Sequence, residues 1–168
     1  MAISRARGAL PRLSIRNCEA GTDPPALNAL AGFSFWEVVV DLAFEKQDGL
    51  LPAILQDETS KEVLMLGYVN PQALAETWKN GEVHFFSRSR NRLWKKGETS
   101  GHVLRLKHML VDCDADALLL LVEPIGPGVC HEGYRSCFFR ELSADGAARI
   151  VAERVFSTEK VYGRPEGQ

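Results

Sequence analysis

In Val103-Leu104-Arg105-Leu106-Lys107-His108-Met109-Leu110-Val111-Asp112-Cys113-Asp114-Ala115-Asp116, the side chains Leu104, Leu106, His108 and Leu110 alternate with Val103, Arg105, Lys107, Met109 and Val111. An alternation of this length predicts a β-strand and hence a protein built on sheets. If the extended conformation runs on to Asp116, the carboxylates at 112, 114 and 116 project from one face and Cys113 from the other. One strand end would then serve two separate sites.

Downstream, Cys130-His131 and Cys137-Phe138-Phe139-Arg140 bring three of the four cysteines into the same part of the chain as three carboxylates. Thiolates are soft donors that suit Zn2+, whereas clustered Asp side chains suit a hard ion such as Mg2+, so two different metals are expected. Cys130 and Cys137 flank Gly133 in a loop that follows Pro124, Gly126, Pro127 and Gly128, a run flexible enough to wrap around an ion. Taken alone, Asp-x-Asp-x-Asp reads as an ordinary acidic turn, and Cys113 as a small buried residue, since free cysteine is often buried. Their proximity favours the metal reading.

The 168 residues, with 45% hydrophobic content, suffice for one well-cored domain and are too few for two large ones. A formal charge of −2 gives no electrostatic reason to expect a nucleic-acid partner. No apolar run approaches the ~20 residues of a membrane helix. Arg5, Arg7, Arg12 and Arg16 have no continuous apolar core behind them, so a secretory signal is not expected. A reducing, cytoplasmic setting is expected instead, where clustered cysteines bind metal or do chemistry more often than they cross-link. Residues 1–32 have no acid before Glu19, adjacent prolines at 24 and 25, and little pattern that could fold onto a core. A flexible extension is expected there, with Cys18 a bystander, followed by a single domain over 33–168. The extension reads either as an organelle-targeting leader or, preferably, as an upstream translation start.

From residue 33 the pattern is β-rich. Segments 35–44 and 51–56 read as strands around Asp48-Gly49, and 62–69 as a third. A short helix follows, with Asn70 as N-cap, Pro71 at its first position, Gly81 as terminator, and Ala73, Leu74 and Trp78 as its buried face. Further strands are expected at 83–87, up to 112, and over 117–123, 134–142 and 147–156. The fold class is therefore α+β, dominated by antiparallel strands with one short helix.

Between helix and long strand lies a second polar constellation, Phe86-Ser87-Arg88-Ser89-Arg90, then Trp94-Lys95-Lys96-Gly97-Glu98-Thr99-Ser100-Gly101. Guanidinium groups alternating with hydroxyls, and glycines bracketing Glu98, Thr99 and Ser100, suit phosphate recognition. Standing alone, the segment reads as a solvated hairpin. It matches neither a Walker A loop nor a dinucleotide fingerprint.

With these four motifs in this order, the chain closely resembles the phosphoribosyl-AMP cyclohydrolases of histidine biosynthesis. Leu51-Pro52-Ala53-Ile54-Leu55-Gln56-Asp57 and Val63-Leu64-Met65-Leu66-Gly67-Tyr68-Val69-Asn70 reinforce the likeness, which runs over 49–140. The resemblance implies a hydrolase that opens the adenine ring of 1-(5-phosphoribosyl)-AMP at N1–C6, giving the formimino-carboxamide ribonucleotide. It also implies an intertwined homodimer whose zinc is held by Cys113 of one chain and Cys130 and Cys137 of the other, with magnesium on Asp112, Asp114 and Asp116. Zinc with three thiolates and an open position would acidify water for attack at C6. His131 is then the candidate general acid/base, or alternatively a fourth zinc ligand. Glu98 orients water or substrate, or caps its loop. Arg88, Arg90, Lys96, Thr99 and Ser100 are assigned to the nucleotide substrate and its phosphates. His84, His102 and His108, on predicted strands, are weaker candidates.

Three positions depart from the pattern: Ala115 stands where glycine is common, Lys95 where histidine is frequent, and Glu132 where threonine usually follows Cys-His. Glu132 adds a negative charge beside the expected active centre. Because the chain ends soon after Phe156, a monofunctional form is expected, without the companion pyrophosphohydrolase. Two other classes fit the sequence less well. A zinc-dependent base deaminase lacks its His-x-Glu and Pro-Cys-x-x-Cys arrangement here. A binding module with a structural zinc staple would require a closed site of four protein ligands.

Overall fold

The computed structural model describes residues 40–163, and the fold is that of the unit that begins at Leu42. The predicted extension 1–32 and Cys18 lie outside the described residues. A 3-10 turn, Phe44–Gln47, precedes β1 (Leu51–Asp57), β2 (Val63–Val69), α1 (Pro71–Asn80), β3 (His84–Ser87) and β4 (Arg92–Lys95). Then come β5 (Leu104–Val111), β6 (Leu118–Pro124), β7 (Arg140–Leu142), β8 (Ala148–Ile150) and α2 (Thr158–Tyr162). The architecture is α+β. Four strands form one sheet in the order β2-β1-β6-β5, while β3-β4 and β7-β8 are separate hairpins.

Antiparallel pairing dominates, but β1 and β6 run parallel. Parallel neighbours cannot be joined by a tight turn, and here β2 through β5 intervene in the chain between them. β1 alternates buried Leu51, Ala53, Leu55 and Asp57 with more exposed residues. Pro52 pairs with Tyr68 of β2, whereas the ladder with β6 starts only at Ala53. The residue without an N–H thus sits where one flank asks for no bond. Leu51, Leu55, Leu64, Val69, Leu74, Phe85, Leu104, Leu120 and Val122 make up the core. Each such side chain contributes about 1.5–3 kcal/mol on burial. Gly67 is required by packing, since a Cβ there would lie 2.3 Å from the fully buried Phe85 ring.

The helix forms as its punctuation predicts. The Asn70 side chain accepts from the Ala73 N–H at 2.8 Å, Pro71 occupies the first turn, and Gly81 at φ +66° donates to the Thr77 carbonyl. Its buried face is Ala73, Leu74 and Thr77; Trp78, expected inside, is 48% exposed. Thr77 takes the inward position because its hydroxyl donates to Ala73 O at 2.8 Å and accepts the His84 N–H at 2.9 Å. That pair of bonds ties helix to β3.

Other expectations change for local reasons. In β5 a bulge between Leu106 and His108 breaks the alternation, so burial passes from Leu104 and Leu106 to Met109 and leaves His108 and Leu110 outside. Within the predicted strand 35–44, residues 35–39 lie outside the described residues, and Phe44 opens the 3-10 turn. The strand expected at 134–142 contracts to Arg140–Leu142 and that at 147–156 to Ala148–Ile150. Tyr134 and Phe139 stack face to face at 3.7 Å, a contact that an extended strand would not give to residues five apart. A second, five-residue helix, α2, was not expected. No helix among the described residues is long and apolar enough to cross a membrane.

Candidate active site

The loop carrying Cys130 and Cys137 is anchored to β2 and the end of β1. The Cys137 N–H donates to Leu64 O at 2.8 Å, and Ser136 Oγ donates to Val63 O at 2.7 Å. Arg135 pairs with Glu62 at 2.8 Å and with the buried Asp57. Burial pushes the Asp57 carboxyl up, but the Thr59 and Ser60 N–H groups and Arg135 outweigh it and hold its pKa below the ordinary value. Within the loop, the Cys130 N–H donates to Tyr134 O at 3.1 Å and the Gly133 N–H to Cys130 O at 3.1 Å. These bonds fold it back so that the Cys137 thiol hydrogen-bonds the Cys130 sulfur.

That bond pulls the Cys130 thiol down to about 6 against the effect of burial, with help from the Glu132 N–H, 3.5 Å from Cys130 Sγ. The same bond pushes Cys137 well up. A thiol held toward its thiolate form beside a second sulfur is the kind of donor a thiophilic metal takes up, releasing protons as it binds. The residues present therefore fit part of a zinc site. Cys113 is exposed on another loop. Among the described residues, the three cysteines do not gather: the one group of three or more His, Cys, Asp or Glu with ligand atoms within 4.8 Å is Asp112, Asp114 and Asp116.

The aspartates meet, though not as a strand face. β5 stops at Val111, and 112–116 is a turn with Ala115 at φ +61°. Asp112 Oδ1 builds the turn by accepting the Asp116 and Ala117 N–H groups at 3.0 and 3.1 Å. Curling the chain brings the three carboxylates to one side, and their oxygens fit a hard cation. A cationic side chain lies among them: Lys46 Nζ is 2.8 Å from Asp114 Oδ2 and 3.2 Å from Asp116 Oδ2. Its hydrogen bond holds the Asp114 carboxyl below the usual range, and Asp114 in turn raises Lys46.

An open cleft of about 250 Å³ gathers Arg90, Lys96, Glu98, Thr99, Ser100 and His131 along one wall or another. The β3-β4 hairpin, left open by the sequence as the bland alternative, carries Arg90 at its turn. The following loop is closed tightly: Gly101 N–H donates to Gly97 O at 2.9 Å, and a Cβ on Gly97 would lie 2.6 Å from His102 O. Glu98 accepts the Lys95 N–H at 3.4 Å and pairs with Arg92 at 3.5 Å, so it does cap its loop while facing the cleft. Lys96 is only 7% exposed, and its Nζ donates to His102 O at 3.5 Å. Burial lowers its pKa, while Cys137 and Cys130 act to raise it. Its ammonium thus lies near enough to both sulfurs to feel their charge.

Arg88 is not among the residues lining the cleft; its guanidinium lies 3.8 Å over the Tyr68 ring. His131 is exposed in the cleft, beside the buried Cys130. The charge of Glu132 is offset locally, because Arg140 Nη2 donates to both its oxygens at 2.8 and 2.9 Å. Sequence reasoning missed Tyr162, which reaches the cleft from α2, and treated Trp94 only as part of a motif. A five-residue helix is too short to show a periodicity, so no signal pointed to Tyr162.

A family model described as phosphoribosyl-AMP cyclohydrolase matches residues 65–139, a span that includes most of the cleft, the aspartate turn and both cysteines of the anchored loop. A phosphoribosyl-AMP cyclohydrolase of Methanosarcina barkeri is 53% identical over 120 residues, covering 71% of this chain and 89% of its own length. One from Methanosarcina acetivorans is 50% identical over 125 residues, 74% of this chain and all (100%) of the relative. One from Haloquadratum walsbyi reaches 56% over 115 residues, 68% of this chain and 83% of the relative. Near half identity across almost the whole length of such relatives settles the matter: this chain belongs to the phosphoribosyl-AMP cyclohydrolases, a family of hydrolases.

Proposed function

We propose that this chain hydrolyses the N1–C6 bond of the adenine ring of 1-(5-phosphoribosyl)-AMP in L-histidine biosynthesis. The observation that carries this reading is the convergence of Arg90, Lys96, Glu98, Thr99, Ser100 and His131 on one cleft, with the Cys130/Cys137 pair close enough to act on the charge of Lys96. The activity is that named for relatives matched over most of their length. Thiols kept available for metal suit a reducing cytoplasm.

In this proposal the active unit is a homodimer, in which Cys130 and Cys137 of one protomer and Cys113 of the partner subunit hold Zn2+. Bound there, zinc supplies Lewis acidity that makes water acidic enough to attack near neutral pH. His131 takes a proton from the attacking water and returns one to N1 as the C6–N1 bond breaks. Arg88, Arg90, Thr99 and Ser100 hold the phosphates, and stacking on Tyr68 keeps the Arg88 guanidinium flat. Buried Lys96 offsets the negative charge of thiolates that would otherwise stand unpaired in a poorly solvated pocket. Glu98 orients the loop that presents Thr99 and Ser100. Asp112, Asp114 and Asp116 hold Mg2+.

The test is to follow the ultraviolet change of ring opening with purified protein, phosphoribosyl-AMP, Zn2+ and Mg2+, beside a chelated sample. Turnover that vanishes on chelation and returns with zinc is expected. A folded, metal-loaded dimer without turnover would leave the cysteines a structural staple in a binding module.

A further inference from the structure

The ammonium of Lys46 already lies among the aspartate carboxylates, and it is placed there by the fold. Beyond its 2.8 and 3.2 Å contacts with Asp114 and Asp116 it donates to Asp114 O at 3.0 Å, so three oxygens surround a group with three donors. The 3-10 turn that carries Lys46 is fastened to the same loop twice more. The Ala43 N–H donates to Ala115 O at 2.8 Å, and Gln47 Nε2 donates to Asp116 O at 3.4 Å. A stray surface lysine would lack this tethering.

We propose that Lys46 is the resident cation of the 112–116 turn and sets its preference for divalent ions. The proposal rests on the reading of Asp112, Asp114 and Asp116 as a Mg2+ site. Without a cation, three carboxylates with oxygens within 4.8 Å of one another repel, and Lys46 relieves that repulsion in the metal-free protein. A monovalent ion offers the same charge as the ammonium, without the tether, and gains nothing by replacing it. A divalent ion offers twice the charge and several ligand positions, and displaces it. Because the ammonium must leave first, the apparent affinity for Mg2+ is the intrinsic affinity reduced by the fraction of sites that stand open.

Calorimetric titration with MgCl2 of the full-length protein and of Lys46→Met, at low and at high KCl, reads this directly. Lys46→Met is expected to bind Mg2+ about tenfold more tightly, the effect of a modest coupling between two ligands of one site. Its affinity should fall with KCl by competition, beyond the smaller screening effect seen in the unaltered protein. On the unaltered protein, Mg2+ should accelerate acylation of the Lys46 amine by an amine-reactive reagent, because the displaced ammonium moves into solvent. Equal or weaker Mg2+ binding by Lys46→Met, or a Lys46 acylation rate indifferent to Mg2+, overturns the proposal. A different result separates the failure of its premise: if Asp114→Asn leaves Mg2+ binding unchanged, or no binding occurs, the turn is not the magnesium site at all.

Discussion

The two ligand clusters are built in opposite ways. The aspartate turn is local: three carboxylates from five consecutive residues, largely exposed, shaped by hydrogen bonds within the turn, with Lys46 supplying a positive charge. The cysteine loop depends on distant chain. Cys137 hangs from β2 and the neighbouring Arg135 from Asp57 and Glu62. A local oxygen cluster can be complete in a single chain. The expected sulfur ligands are divided within the chain: Cys130 and Cys137 share one loop, and Cys113 lies exposed on another.

The sharpest way to break this contrast is Cys130→Ser. A soft site of so few thiolates has none to spare, so bound zinc, measured by atomic emission, should drop to background. Turnover should fall by more than about 100-fold, exceeding the loss typical of groups that merely support a ligand. Zinc and turnover retained at wild-type levels would remove Cys130 from the metal site.

Next in size is Asp57→Asn, which tests whether the cysteine loop leans on β1 through charge. Removing a buried carboxylate that accepts charge-assisted bonds should cost about 1.5–3 kcal/mol at neutral pH, seen as a lower Tm. The acid dependence should change too. With its folded pKa held below the ordinary value of 3.8, Asp57 is protonated more readily in the unfolded chain. Its contribution is therefore present above about pH 4 and lost as pH falls through the folded pKa. Asp57→Asn should flatten the fall of Tm in that acid range; an unchanged acid profile would show that Asp57 does not anchor the loop electrostatically.

The smallest effect belongs to the aspartate turn. Ala115 adopts φ +61°, where a Cβ costs roughly 1–2 kcal/mol, so Ala115→Gly should stabilise by up to about 1 kcal/mol after the added unfolded-state entropy is subtracted. Thermal unfolding checks it, and a lower Tm would mean that the turn favours alanine for another reason. Glycine would relieve this φ because it carries no Cβ.

Much of the fold could be read without coordinates where the cause is local. Asn70, Pro71 and Gly81 mark the helix to the residue because capping needs no distant partner. β1, β2 and β6 appear within a residue or two of their predicted ends. Trp78 was placed inside because size and spacing suggest burial, yet Thr77 won the position through bonds to Ala73 and His84. The β5 bulge is likewise invisible in a two-residue alternation, since it arises from register with β6.

For the site, the sequence by itself determined the donor types, and the motifs determined the family, because metal preference follows from the softness of sulfur and oxygen. It also predicted that the three aspartates would act together, although through an extended strand. Only the tertiary structure decided that Lys46 lies among them from nearly seventy residues away, and that the cysteine loop hangs from β2 through Cys137 and Leu64. It decided too that Lys96 is buried at the cleft wall while Arg88 lies on Tyr68. The physical reason is shared: these placements depend on contacts with other segments of the chain, which residue type and spacing do not encode.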